Sequence, residues 1–361
     1  MALSPNYGWA EPDNSSLVKN GAQDIRALGD AIDTSLWNVG YGQAGKNKII
    51  NGDFNIWQRG TSFTLAGSGA NNYTADRFNA QFDGTGATCT VSQQTFTAGT
   101  APVAGYEGQF FARWNRSAAG SGNTLNYYKQ PIEDVRTFAG QAITLSFWAK
   151  ADAARTLTAQ IYQEFGAGGS GAVLALNGTA SVTTSWQRFT ISATVPSIAG
   201  KTVGTNSSLT LYLIMPTGVA FTFDYWGVQL EAGSVATPFQ TATGTVQGEL
   251  AACQRYYARQ SASGNQYTPY GIGYGSSGTT NALVTIKLPV TMRVNPTAID
   301  YSAVTFQDTG GLHTASSVTI NQGGFDHVQV AIVSTGLTQN VPGALLANAS
   351  TSSYLGFSAE L

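Results

Sequence analysis

Charge is what this sequence has least of. Asp, Glu, Lys and Arg make up 11% of its 361 residues, against ~25% in an ordinary soluble domain. The 18 Lys and Arg against 20 Asp and Glu leave a net charge of −2, so no basic surface argues for DNA or RNA. No apolar run approaches ~20 residues, so no membrane-inserted helix is expected. Met1-Ala2-Leu3-Ser4-Pro5-Asn6 lacks the basic start and apolar stretch of a secretory signal. Cys89 and Cys253 are the only cysteines and His313 and His327 the only histidines. Neither pair has the spacing of a metal site or a disulfide framework, and Asp326-His327 is adjacent in sequence rather than part of a triad. The cysteines read as small buried hydrophobes.

No phosphate loop is present either, since Gly166-Ala167-Gly168-Gly169-Ser170-Gly171 lacks the Lys and hydroxyl that follow one and reads as a flexible β-turn. No nucleophile elbow follows a strand–helix pattern. Glu107, Glu133, Asp134, Glu164 and Glu231 are scattered acids of the sort any β-protein carries. A pair of them in a cleft would suit glycoside hydrolysis. The chain reads as a non-enzyme.

What is abundant is Gly, with 42 residues, and aromatics, at 11%. Alternation of period two runs through the middle of the chain: Ile143, Leu145, Phe147 and Ala149; Leu157, Ala159 and Ile161; Phe189, Ile191, Ala193 and Val195; Leu209, Leu211, Leu213 and Met215; Phe221, Phe223 and Tyr225. Each run ends in turn residues with no helix between, which excludes a parallel α/β fold and leaves a two-sheet sandwich. The fold class is mainly β. A short coiled-coil-like helix precedes a central jelly-roll β-sandwich, then come a helical neck and a C-terminal β-sandwich. The boundaries fall at 1–46, 47–241, 242–260 and 261–361.

The leader changes pattern at Ser15. Val18, Gly21, Ile25, Leu28 and Ile32 recur at steps of three and four, a narrow apolar stripe with Ser15 or Ser16 as cap. So short a seam needs neighbours, either copies of the chain or a docking protein, unless it folds onto its own β-domain. Val18, Ile25, Leu28 and Ile32 are therefore the oligomerisation candidates. Val39 to Lys46 reads as a glycine-rich hinge. In the neck, Val246, Leu250, Cys253 and Tyr257 form a second stripe.

Trp148, Tyr162 and Tyr212 are out of step with the core positions of their strands, so they face away from the sandwich interior. Such aromatics stack on sugar rings when polar neighbours, here Lys150, Gln160 and Gln163, serve the hydroxyls. They equally suit packing against a loop or a neighbouring subunit. In the C-terminal region, Asn265-Gln266-Tyr267-Thr268-Pro269-Tyr270 has the composition of adaptable recognition loops, which makes Tyr267 and Tyr270 further candidates. Asp76 beside Arg77 reads as a structural ion pair.

Several stretches carry a family resemblance. Asn51-Gly52-Asp53-Phe54, Trp57-Gln58-Arg59-Gly60 and Ala75-Asp76-Arg77-Phe78 begin an ordered set. It continues through Leu145–Ala151, Ser185–Phe189, Phe223–Gly233, Thr237-Pro238-Phe239 and Glu249-Leu250 to Cys253–Tyr257. The set resembles the jelly-roll domain of phage tail fibre and minor tail proteins, itself similar to carbohydrate-binding modules of the CBM4/CBM22 kind. The leader, with Tyr7-Gly8-Trp9 and Glu11-Pro12-Asp13-Asn14, resembles the N-terminal segment of minor tail proteins from phages of actinobacteria. Leu288–Thr297 and the final Phe357–Leu361 are similar to C-terminal domains of tail fibres.

The resemblance implies a virion protein that contacts the host surface and binds cell-wall glycan. It implies a homotrimer attached through its N-terminus to other tail-tip or baseplate proteins. Alternatives are a purely structural tail or baseplate component and a glycan depolymerase. Relatives often carry a structural calcium near the positions of Asp53 and Asp224; no other cofactor is expected.

Overall fold

The computed structural model describes residues 2–3, 9–11, 20–41, 44–103 and 106–361. Val18 and the cap residues Ser15 and Ser16 lie outside these. The leader forms the helix Gly21–Tyr41, which runs through the start of the expected hinge. Ile25 is 66% exposed on it, while Leu28 and Ile32 are half-buried.

The body is the expected β-sandwich. One sheet runs, by strand, Val173–Val182, Arg155–Glu164, Ser208–Ile214, Asn126–Ile132 and the first part of Asn79–Thr95; the other runs from the remainder of Asn79–Thr95 through Phe110–Ala118, Phe221–Ala232 and Ala142–Ala151 to Gln187–Thr194. All these pairs are antiparallel. The 17-residue strand Asn79–Thr95 belongs to both sheets. The apolar positions read from alternation meet in one core, with Phe189, Ile191 and Ala193 packed at its edge.

One register shift matters. Phe221, Phe223 and Tyr225 point inward, and so do Val228 and Leu230, because a bulge falls between Trp226 and Gln229. Gly227 at φ +62 makes it, and a Cβ there would meet the Trp148 ring at 2.7 Å, so the position favours glycine. Trp226, just before the bulge, faces outward by the ordinary alternation.

A second unit has its own core. Seven antiparallel strands form its larger sheet, with Pro269–Ser277 and Asn281–Lys287 near the middle; Tyr257–Ser261, Tyr354–Ser358 and Ala298–Ser302 form a smaller one. This corrects the neck. The helix is Val246–Gln254, capped by Thr245, and Tyr257 already lies in a strand. Val246 and Leu250 are exposed, so only the later half of the stripe, Cys253 and Tyr257, packs. Glu249 is buried beside it and accepts from the Asn51 amide at 2.5 Å and the Thr243 hydroxyl at 3.0 Å.

The motif residues at the start of the body thus build a joint. Arg77 is fully buried, lies 3.4 Å from the Tyr256 ring centroid, donates to the Pro131 carbonyl at 2.6 Å and pairs with Glu360. Arg59 lies 3.5 Å from the Tyr257 ring centroid. Gln58 donates to the Tyr257 carbonyl at 2.7 Å, and its own carbonyl accepts from Arg259 at 2.9 Å. Asp76 and Arg77 are not an ion pair with each other: Asp76 holds the Gln58 amide at 2.9 Å, while Arg77 crosses to the second unit. Both residues lie in a turn, where Arg77 takes φ +68.

Candidate functional site

The outer face of the first sheet is built by simple cross-strand register. Asn177, Gln160, Tyr212, Lys129 and Asn79 are successive partners across five strands. At a strand spacing of ~4.8 Å the row spans roughly 19 Å. Tyr162 lies two residues beyond Gln160 and Tyr127 two residues before Lys129, on the same face. The three tyrosines interlock edge to face: Tyr162 and Tyr127 lie 5.8 and 5.5 Å from Tyr212, at 85° and 87°. They line a shallow cavity of about 270 Å³ with Gln160, Glu164, Ala172 and Ile214. A second cavity, of about 110 Å³, shares Glu164 and Tyr212 and continues toward Asn79, Asn71 and Asn206.

Polar contacts set the geometry. Glu164 accepts from the hydroxyls of Tyr212 at 2.6 Å, Thr210 at 2.9 Å and Ser208 at 3.2 Å. Burial, then the bond to Glu164, pushes the Tyr212 phenol up, so it stays a donor. Lys129 donates to Gln81 at 2.9 Å and lies 5.6 Å from the Tyr212 ring centroid. Burial pulls its ammonium down, opposed by Glu164. Gln160 donates to Asn177 at 3.0 Å. The face therefore offers aromatic surface with hydroxyl, amide, carboxylate and ammonium groups around it.

The sequence candidates divide. Tyr162, Tyr212 and Gln160 come together here. Gln163 does not, because it alternates onto the core side and donates to the Pro196 carbonyl at 2.9 Å. Trp148 and Lys150 belong to the opposite sheet. Trp148 faces away from the main core as its phase requires, but it is covered rather than exposed. It packs in a satellite core with Phe96, Phe111, Trp226 and Phe239, and Arg188 lies 4.6 Å from its ring centroid. The segments around Phe96 and Phe239 close over it. Lys150 sits 5.3 Å from the Trp186 ring centroid and 3.5 Å from Asp224. Tyr267 is exposed on the second unit, whereas Tyr270 is buried and bonded to Ser353 at 2.9 Å.

Tyr127, Lys129 and Glu164 belong to the site without having been singled out for it. Their signal was faint, since Asn126-Tyr127-Tyr128-Lys129-Gln130-Pro131-Ile132 carries too few apolar residues and a Pro. The alternation of Tyr127 and Lys129 with buried Tyr128 was the one cue.

The two acids expected near calcium have separate partners. Asp224 takes Arg113 through both carboxylate oxygens, at 2.7 and 2.8 Å. Asp53 accepts from Asn55 at 2.6 Å, and its other oxygen has no partner among the described residues. Burial, then the charge of Glu249, raises the Asp53 carboxyl to about 6. Among the described residues no group of three or more His, Cys, Asp or Glu is placed to hold a metal ion.

The body is a mainly β jelly-roll sandwich with an aromatic, polar groove on one outer face. No family model and no curated protein matches the chain. Among solved structures it is similar to one titled "CBM4 structure and function", at 20% identity over 51% of this chain and 98% of that one, with a TM-score of 0.32. It is also similar to the CBM22-1 xylan-binding domain of Paenibacillus barcinonensis Xyn10C, at 14% identity over 54% and 99%, with a TM-score of 0.31. A third likeness is to the enzymatically active domain of bacteriophage CBA120 tailspike protein 4, at 12% identity, with a TM-score of 0.32. It covers 52% of this chain and 22% of the tailspike.

Proposed function

We propose that the protein binds a glycan without catalysis, through the groove of Tyr127, Tyr162 and Tyr212, as part of a phage tail fibre or minor tail protein that contacts the host surface. The observation carrying the binding is the groove itself: three interlocked tyrosines on an open sheet face, ringed by Gln160, Glu164 and Lys129. Sugar rings have apolar C–H faces and hydroxyl edges, and this surface has a counterpart for each. Glu164 is the one acidic side chain among the described residues lining either cavity. Glycoside hydrolysis generally uses two acids, which favours binding over cleavage. The tail role rests on the ordered motifs and on the leader. On this reading the protein is a virion component: copies join through Gly21–Tyr41 into a homotrimer that docks on other tail-tip or baseplate proteins. Three weak sites then act together with large avidity.

The test is binding of the full chain to host cells and to glycans extracted from their walls, beside Tyr162→Ala and Tyr267→Ala. Point variants are preferable to truncation, because the last strand pairs with Tyr257–Ser261 and Glu360 completes the joint. A loss of tenfold or more with Tyr162→Ala alone supports the groove. Loss with Tyr267→Ala alone moves recognition to the second unit. An intact chain that binds neither cells nor glycan leaves a structural tail component as the better reading.

A further inference from the structure

The smaller cavity at the end of the groove holds an unspent amide. Asn79 is 2% exposed, yet its Oδ1 has no hydrogen-bond partner among the described residues. Buried polar atoms are nearly always paired, and leaving one unpaired costs about 1–3 kcal/mol. Asn79 lies on the outer face, since Phe78 and Ala80 on either side of it are in the core. Its cross-strand partner is Lys129, and both line the cavity. Lys129 has three donors and spends one on Gln81. Pro131 and Tyr212 supply apolar wall beside them. The space is about 110 Å³, a few waters' worth, which suits a substituent of a sugar rather than a second ring.

Acceptor, donor and apolar wall together match one common sugar substituent. We infer that this pocket receives the acetamido group of an N-acetylated amino sugar whose ring lies on the tyrosines. The Asn79 Oδ1 accepts the acetamido N–H, Lys129 donates to its carbonyl, and the methyl rests on Pro131 and the Tyr212 ring. A plain hydroxyl in that place can pair with these groups, but it fills less of the pocket and leaves the apolar wall of Pro131 and Tyr212 uncovered. This assignment rests on the groove being the glycan site.

An array of matched oligosaccharides, each N-acetylated amino-sugar oligomer beside its counterpart with hydroxyls in place of the acetamido groups, separates the two ideas. The full chain is expected to hold N-acetylated members at least tenfold more tightly than their partners. Lys129→Met and Asn79→Ala, checked for native near-ultraviolet dichroism, are expected to erase that preference, lowering the N-acetylated members far more than the hydroxyl ones. Tyr162→Ala is expected to weaken both members of a pair alike. Equal binding of matched members by the unmodified chain overturns the acetamido pocket and leaves the groove standing. A preference that survives in both variants overturns it too. No binding to any member ends both.

Discussion

Arg77 and Glu360, 283 positions apart, meet as a buried ion pair where the sandwich joins the second unit. Arg77 has the Pro131 carbonyl and the Tyr256 ring as further partners. Glu360 is also reached by Arg59 at 3.4 Å. Burial lowers the tendency of Arg77 to stay charged, and Glu360 together with Tyr256, Tyr73 and Cys253 more than offsets it.

Removing the acid strands a buried guanidinium. Glu360→Gln is therefore expected to cost about 3 kcal/mol, in line with breaking other buried pairs. Urea unfolding followed by tryptophan fluorescence measures it. A loss under 1 kcal/mol would mean that the joint holds without the pair.

Trp148 separates packing from recognition. It lies in the satellite core and within 5.3 Å of Trp226, ring centre to ring centre. Trp148→Ala is expected to cost about 3 kcal/mol of stability through the cavity it leaves. Glycan affinity should stay within twofold at temperatures where the variant is folded. Thermal unfolding and a binding titration on the same sample decide it; a stable variant that no longer binds would return Trp148 to the site.

Asp53 makes stability depend on pH. Its folded carboxyl titrates at about 6 against an ordinary value of 3.8, so the folded chain holds this proton more tightly than the unfolded one. The stability it contributes is present in acid and is lost as pH rises from near 4 to about 6. Asp53→Asn is expected to be more stable than the unmodified chain at pH 7.5, by up to about 3 kcal/mol. Near pH 4 the two should coincide. Denaturation midpoints at the two pH values check this, and a constant difference would show that Asp53 is not the group responsible.

Self-association is expected to run through the leader helix, where Ile25 is exposed and Leu28 half-buried. Ile25→Asp with Leu28→Asp puts charge into the seam and should convert a trimer to single chains of 37.8 kDa by light scattering. An unchanged mass would place the contact elsewhere.

Period-two alternation made the sandwich legible, because inward and outward side chains on a strand differ in kind. It also placed Tyr162, Tyr212 and Gln160 on an outward face. Residue type misled at Gln163, a polar residue that the same alternation puts on the inward side, where its amide finds the Pro196 carbonyl. Phase says which side of a sheet a residue takes, not what covers that side, so Trp148 looked exposed. The joint was invisible for a related reason. Gln58, Arg59, Asp76 and Arg77 could be seen as a motif, but their partners Tyr257 and Glu360 lie hundreds of residues away. No local pattern announces such a contact.

Asn47 fastens the first residues of the body. Its amide donates to the carbonyls of Val228 and Gln240, its oxygen accepts from Leu230, and the next residue's N–H reaches the Leu230 carbonyl at 2.9 Å. Tension pulled through the leader reaches the sandwich here, where Gly45 and Lys46 hold Ala242 and Glu231 just ahead of the clasp, at one end of the strand Phe221–Ala232. That strand lies between Phe110–Ala118 and Ala142–Ala151 rather than at an edge. On the proposed reading, a tug on a molecule held by its groove is shared among neighbouring strands, and residues 45–48, not the ligand face, take the first strain.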